Sequence, residues 1–180
     1  MAKLRNAPAY RRLERPYTRI SKYKKKSFVK SRPNMVISKY DMGNVKNAYI
    51  YTLYLASNED IQIRHNSLEA ARQTATRLLE KEFGVDGFYL KLLLFPHHIL
   101  RENPLASGAG ADRLSTGMAG SFGKVISTAA RIHAGQHIFR VQFNDKNKFE
   151  IAKKALHKAA KKLPKSCTIV NATPVIKVAK

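Results

Sequence analysis

The sequence predicts an α+β fold: a mostly antiparallel sheet with two helices packed on one side, a basic N-terminal extension and one long glycine-rich loop. Three observations carry this. The β-rich segments follow one another without the regular helical crossovers that parallel strands need. Apolar residues fall at helical spacing in two stretches, one after Asn66 and one after Asn144. Hydrophobic residues make up 44% of the 180, enough to bury a core rather than leave the chain disordered. No internal repeat or inter-domain linker interrupts the pattern. The chain divides into an extension over residues 1–33 and a single domain over 34–180, whose long loop spans 101–124.

Residues 1–32 hold 12 Lys or Arg against one acid, Glu14. These are Lys3, Arg5, Arg11, Arg12, Arg15, Arg19, Lys22, Lys24, Lys25, Lys26, Lys30 and Arg32. Tyr10, Tyr17, Tyr23 and Phe28 lie among them, and Pro8, Pro16 and Pro33 break any helix. Such a segment fits a solvated tail. Its joint supply of charge and rings favours a strand of RNA, with cations on phosphates and rings on bases or sugars.

Residues 46–56 (KNAYIYTLYLA) form a strand apolar on both faces and therefore central, its tyrosines core residues rather than base-stackers. Residues 61–65 form a second strand after the turn 57–60. Asn66 then caps a helix, with Glu69 completing a capping box. Leu68, Ala71, Ala75, Leu78 and Phe83 make its buried stripe, Arg72, Arg77 and Lys81 its surface, and Gly84 its C-terminal cap. Glu69, Glu80 and Glu82 read as surface charges. A strand at 87–95 ends at Pro96, and 97–100 is a short extension into the long loop.

After the loop, strands at 125–133 and 136–144 flank an Ala134-Gly135 turn and predict a hairpin. Along the second strand, Ile138, Arg140 and Gln142 share one face and His137, Phe139, Val141 and Phe143 the other. The second helix is capped by Asn144 or Asp145 and ends before Pro164. Its narrow stripe is Phe149, Ala152, Leu156, Ala159 and Leu163. Six lysines (153, 154, 158, 161, 162 and 165) cover the rest, either as a solvated face or as an RNA contact. Residues 167–172 are the last strand, with Cys167 a small buried side chain.

Charge narrows the function. Lys plus Arg number 34 against 12 Asp plus Glu, a formal +22. That charge opposes compaction unless a polyanion neutralises it, and nucleic acid is the commonest such partner. No run of 18 apolar residues appears, so no membrane partner is expected. The N-terminal stretch lacks the apolar core of a secretory signal. A single cysteine rules out an internal disulfide and a multi-cysteine zinc site, and agrees with a cytoplasmic setting.

The loop 101–124 carries five of the nine glycines and has no hydrophobic period. As a dinucleotide fingerprint it fails, because Gly108 and Gly110 are followed by Arg113 where the third glycine belongs. As a phosphate-binding P-loop it also fails. Gly123 and Lys124 fit, but Met118 replaces the first glycine and Val125 the hydroxyl. The loop can still meet RNA. Its glycines let backbone N–H groups approach phosphates, Arg101, Arg113 and Lys124 supply charge, and Asp112 can orient Arg113. Ser107, Ser115, Thr116 and Ser121 offer hydroxyls. A disordered surface loop would share this composition.

The six histidines form no metal motif, and adjacent His97 and His98 point to opposite faces of an extended chain. No metal, cofactor or catalytic residue is expected.

The segment 108–118, GAGADRLSTGM, followed by Phe122-Gly123-Lys124, resembles the L-ten-e family of archaeal and eukaryotic large-subunit ribosomal proteins, whose bacterial counterpart is L-sixteen. The start MAKLRNAPAYRRLERPYTR, the strand KNAYIYTLYLAS and the helix start SLEAARQ extend the resemblance over essentially the whole chain. It implies an α+β sandwich with no enzymatic activity that binds large-subunit rRNA near the peptidyl-transferase centre. Its loop, about residues 103–122, would point at tRNA acceptor arms. The implied partners are rRNA, tRNA and neighbouring ribosomal proteins, with no homo-oligomer. The site residues carried over are Arg101, Ser107, Gly108, Gly110, Asp112, Arg113, Ser115, Thr116, Gly117 and Lys124. Many relatives carry arginine where this chain has Ala119, so no phosphate contact is carried to that position. The alternatives are an RNA-modifying or nucleotide-using enzyme with a glycine-rich loop, and a free basic RNA chaperone.

Overall fold

The computed structural model describes residues 10–13, 22–26, 32–102 and 124–172. The glycine-rich segment 103–123 therefore lies outside the described residues, with Lys3, Arg5, Arg15, Arg19 and Lys30 of the extension.

The elements are β1 (Asp41–Gly43), β2 (Tyr51–Ser57), β3 (Ile61–Arg64), α1 (His65–Phe83), β4 (Phe88–Leu92), β5 (His98–Glu102), β6 (Lys124–Ile132), β7 (His137–Phe143), α2 (Phe149–Ala160) and β8 (Cys167–Asn171). The α+β class and the two helices are as expected, but the strands make two sheets. One has five strands in the order β1-β4-β7-β2-β8, the other three in the order β3-β6-β5. Every pairing is antiparallel.

The expected hairpin does not form. β6 pairs with β3 and β5, whereas β7 pairs with β2 and β4. The turn between them is a corner linking the sheets. Gly135, at φ +80, donates its N–H to the Ser57 carbonyl at 2.8 Å, and Ser57 N–H donates to the Gln136 carbonyl at 3.0 Å. The end of β2 thus takes the backbone groups that a hairpin would have paired. Asp60 locks the same corner. Its carboxylate accepts the Ala134 N–H at 2.8 Å and faces His133, and these bonds hold its pKa below the ordinary range.

The strand expected from residue 46 starts at Tyr51. Ahead of it, Asn144 replaces a strand partner: its side chain accepts from Ile50 N–H at 2.9 Å and donates to the Ala48 carbonyl at 3.0 Å. Asn144 is therefore a latch, and Asp145 caps only a 3-10 turn over Lys146–Lys148. β4 ends at Leu92, short of Pro96, and the extension at 97–100 proves to be strand β5.

The inner face of the five-stranded sheet supplies Leu53, Leu55, Phe88, Leu90, Phe139, Val141 and Phe143, all fully buried. The helices pack on it and on each other through Leu68, Ala71, Ala75 and Leu79 of α1 and Ala152, Ala155, Leu156 and Ala159 of α2. Leu79 is buried where Leu78 was expected; Leu78 and Phe83 pack at the margin. Alanines at the contact let the helix axes approach closely. Tyr51, Phe83, Phe143 and Phe149 close one end, with Tyr51 stacked on Phe143 at 5.6 Å and Phe83 edge-on at 5.5 Å. Phe143, the one fully buried ring of the four, contributes roughly 1.5–3 kcal/mol, and the three partly buried ones less. Tyr51 is thus a core residue, while half-buried Tyr54 stacks on exposed His137 at 4.3 Å. Cys167 is half-buried, which pushes its thiol pKa up to about 11 and leaves it a poor nucleophile.

Helix α1 starts two residues earlier than expected, with Arg64 rather than Asn66 at the N-cap and no side-chain cap bond. Glu69 does not close a capping box and is not a surface charge. Nor is Arg72. Both are buried, and Arg72 Nε donates to Glu69 Oε2 at 2.8 Å while Nη2 bonds Oε1. A buried guanidinium needs a carboxylate more than a helix start needs a cap. Gly84 does end the helix at positive φ (+74), its N–H donating to the Glu80 carbonyl at 3.0 Å.

Candidate nucleic-acid interface

The candidate interface begins with the strand pair that flanks the glycine-rich segment in the chain. β6 is the central strand of the small sheet, and its segment Thr128 to Ala130 is buried with Ile132. β5 runs against it with Arg101 opposite Val125 and Glu102 opposite Lys124. The two ends of the loop therefore leave adjacent positions of one ladder. Arg101 is half-buried at this root and Lys124 exposed. His98 is buried in β5, and burial first, then Arg131, lowers its pKa, so it is a neutral residue there. Exposed His97 beside it confirms the opposite facing of the pair. The remaining predicted loop residues (Ser107, Gly108, Gly110, Asp112, Arg113, Ser115, Thr116 and Gly117) lie outside the described residues.

The extension reaches the same sheet. Arg11 accepts from the Gln62 backbone N–H at 2.8 Å, and the Tyr10 carbonyl accepts from Gln62 Nε2 at 2.8 Å. Gln62 lies on β3, one of the two outer strands of the small sheet, so residues 10 and 11 run along an edge that would otherwise present unpaired backbone groups. Arg12 is exposed beside this anchor. Replacing Gln62 by alanine removes the side-chain bond and keeps the backbone one. One such bond is worth about 1 kcal/mol, so trypsin cleavage after Arg11 and Arg12 in the free protein should quicken roughly fivefold. Unchanged cleavage would show that the backbone bond alone holds the segment.

Further along, Lys24–Lys26 form a 3-10 turn. Lys26 Nζ sits 5.3 Å from the centre of the Tyr23 ring, which is 63% exposed; Lys22 and Lys25 are exposed as well. Exposed Arg32 lies 5.1 Å over Phe95, which stacks on Tyr40 at 5.6 Å and meets His97 at 4.5 Å. Of the extension's four rings, Tyr23 is thus paired with a cation, and Arg32 finds its ring outside the extension, at Phe95.

The segment 32–40 is pinned from α1. His65 Nδ1 accepts the Val36 N–H at 3.2 Å, and burial lowers the His65 pKa, so the ring stays a neutral acceptor. Arg72 Nη2 donates to Ser38 Oγ at 3.1 Å. Arg72 first, with Gln73 and the Ser38 backbone, holds the Glu69 carboxylate below its ordinary range, and Glu69 raises the Arg72 pKa. Sequence reasoning missed this clamp. Its only signal is the i,i+3 spacing of Glu69 and Arg72, common to many surface pairs.

The helical layer adds a third basic surface. Lys154 and Lys158 are exposed on α2, Lys161 and Lys162 just beyond its end, and Arg77 and Lys81 along α1. Among the described residues, no group of three His, Cys, Asp or Glu gathers as a metal site. No helix of the described residues is long and apolar enough to cross a membrane.

A family model described as Ribosomal protein L16p/L10e matches residues 17–170. The large ribosomal subunit protein uL16 of Archaeoglobus fulgidus is 44% identical over 164 residues, covering 91% of this chain and 90% of that protein. The uL16 protein of Methanococcus maripaludis is 41% identical over 167 residues, 93% of each chain. That of Thermofilum pendens is 44% identical over 155 residues, 86% of this chain and 88% of the relative.

Proposed function

Because the chain belongs to the L16p/L10e family of ribosomal proteins, we propose that it seats itself in large-subunit rRNA through its basic extension and presents the loop 103–122 to tRNA acceptor ends near the peptidyl-transferase centre. It is a structural, non-enzymatic constituent of the large subunit of the cytoplasmic ribosome, with rRNA, tRNA and other ribosomal proteins as partners.

The observation that carries the reading is the shared anchorage of loop and extension. Both are held by the three-stranded sheet, the loop through β5 and β6 and the extension through β3. Cations of residues 1–33 neutralise rRNA phosphates and release counterions. The domain 34–180 then fixes the loop's root relative to that RNA. Within the loop, Arg113 is the central charge, while Arg101 and Lys124 stand at the root.

Sedimentation tests the reading. The protein should stay with large subunits through a high-salt wash, as a ribosomal constituent does. Release into the light fractions would instead fit a free RNA chaperone.

A further inference from the structure

A cleft of about 320 Å³ opens between α1 and α2, lined by Gln73, Thr74, Arg77, Leu78, Lys81 and Lys158. Its charge is of one sign. Arg77 and Lys81 stand four residues apart on α1, a spacing at which like charges destabilise a helix. Lys158 faces them from α2. Four lysines outside the cleft find acids: Lys91 meets Asp41, Lys148 meets Asp145, Lys153 meets Glu150 and Lys165 meets Glu59. Among the described residues, no ion-pair partner is found for the three cleft cations.

The neutral lining is already engaged. Gln73 Nε2 donates to Glu69 at 2.9 Å, and the Thr74 hydroxyl donates to the Ala70 carbonyl at 2.7 Å. Leu78 offers only hydrocarbon. What remains is three cationic donors converging on one space, a set that suits the oxygens of phosphate. We propose that this cleft is a separate rRNA contact that holds backbone phosphate and is blind to sequence. The proposal rests on the ribosomal reading and adds a surface that shares no residue with the loop root or the extension. RNA is the favoured occupant because the chain's +22 calls for a polyanion, and a phosphate backbone delivers charge without regard to sequence.

The test uses two charge-matched variants of the full chain. R77Q/K81Q/K158Q empties the cleft of charge. K39Q/K46Q/K146Q removes three exposed lysines away from it, so each lowers the formal charge by three. Binding to large-subunit rRNA, and to an RNA of scrambled sequence, is measured against salt. Each phosphate contact contributes roughly 0.7–0.9 to the slope of log K on log salt. With all three cations on phosphates, the cleft variant should lose about 2 to 3 from that slope on both RNAs. The control should lose less than half as much. Thermal unfolding should place the cleft variant at or above the parent, since it relieves repulsion. Equal slope losses in the two variants would reduce the cleft to general charge and overturn the proposal. A loss confined to large-subunit rRNA would mean that the cleft reads sequence, and would overturn it too. An unchanged slope with weaker retention on subunits would assign the cleft to an acidic protein segment. A parent chain that bound no rRNA would refute the ribosomal reading itself.

Discussion

Replacing Glu69 by alanine is expected to destabilise the free protein by about 3 kcal/mol, at the low end of the range for breaking a buried ion pair. The cost falls mainly on what is left behind. Arg72 would keep Ser38 Oγ but lose both carboxylate bonds, with its side chain only 10% exposed. A buried guanidinium without a counter-charge cannot shed its proton to escape the penalty. The paired change Glu69→Leu with Arg72→Leu should recover most of the loss, because it removes both charges together. Urea unfolding at neutral pH checks this. A loss below about 1 kcal/mol in the alanine variant would mean that water solvates Arg72 adequately.

The same pair sets a pH signature. Glu69 titrates below its ordinary 4.5 in the folded protein, so its contribution is fully present above about pH 4.5 and is lost as pH falls through the lowered folded value. His65 and His98 also have lowered values, so their contributions are present above 6.5 and fade as pH drops below it. The loss thus begins below about 6.5 for the histidines and only below about 4.5 for Glu69. Subtracting the curve of Glu69→Gln from that of the parent should leave a difference that shrinks only on the acid side of 4.5.

Local patterns told much of the secondary structure and little of how the pieces meet. The stripe of α2 is visible in the sequence because Ala152, Leu156 and Ala159 repeat at helical spacing, and they are buried. The alternation of Phe139, Val141 and Phe143 likewise marks the buried face of β7. Strand partners are another matter. The turn at Gly135 has the composition of a hairpin, and only the competing backbone of Ser57 makes it a corner between sheets. Glu69 offers the same lesson. Its spacing from Asn66 suits a cap and its spacing from Arg72 suits a surface pair, and burial by the segment 32–40 decides between them. For the interface, the sequence supplies charges and rings, but the anchoring of residues 10 and 11 by Gln62 depends on contacts between residues more than fifty positions apart. No local pattern records such a contact.

Replacing residues 103–123 by a short Gly-containing turn should separate the two roles proposed for this protein. The ladder makes the replacement feasible. Glu102 and Lys124 are cross-strand neighbours, and such pairs lie about 5 Å apart, a gap that a hairpin turn of a few residues spans. The shortened chain keeps β5, β6 and every core residue among the described ones, so its unfolding midpoint should match the parent. It also keeps the extension, so incorporation into large subunits should persist. Binding of tRNA by those subunits should fall. One charge-assisted contact, such as Arg113 would make, contributes about 1.5–3 kcal/mol, or roughly 10- to 150-fold in affinity. Arg113→Ala should show part of the same loss with normal incorporation. Should both variants fail to enter subunits while folding normally, the loop serves assembly, and positioning of tRNA would have to come from elsewhere on the protein. Should both enter subunits and bind tRNA as the parent does, the loop has no part in holding the acceptor end.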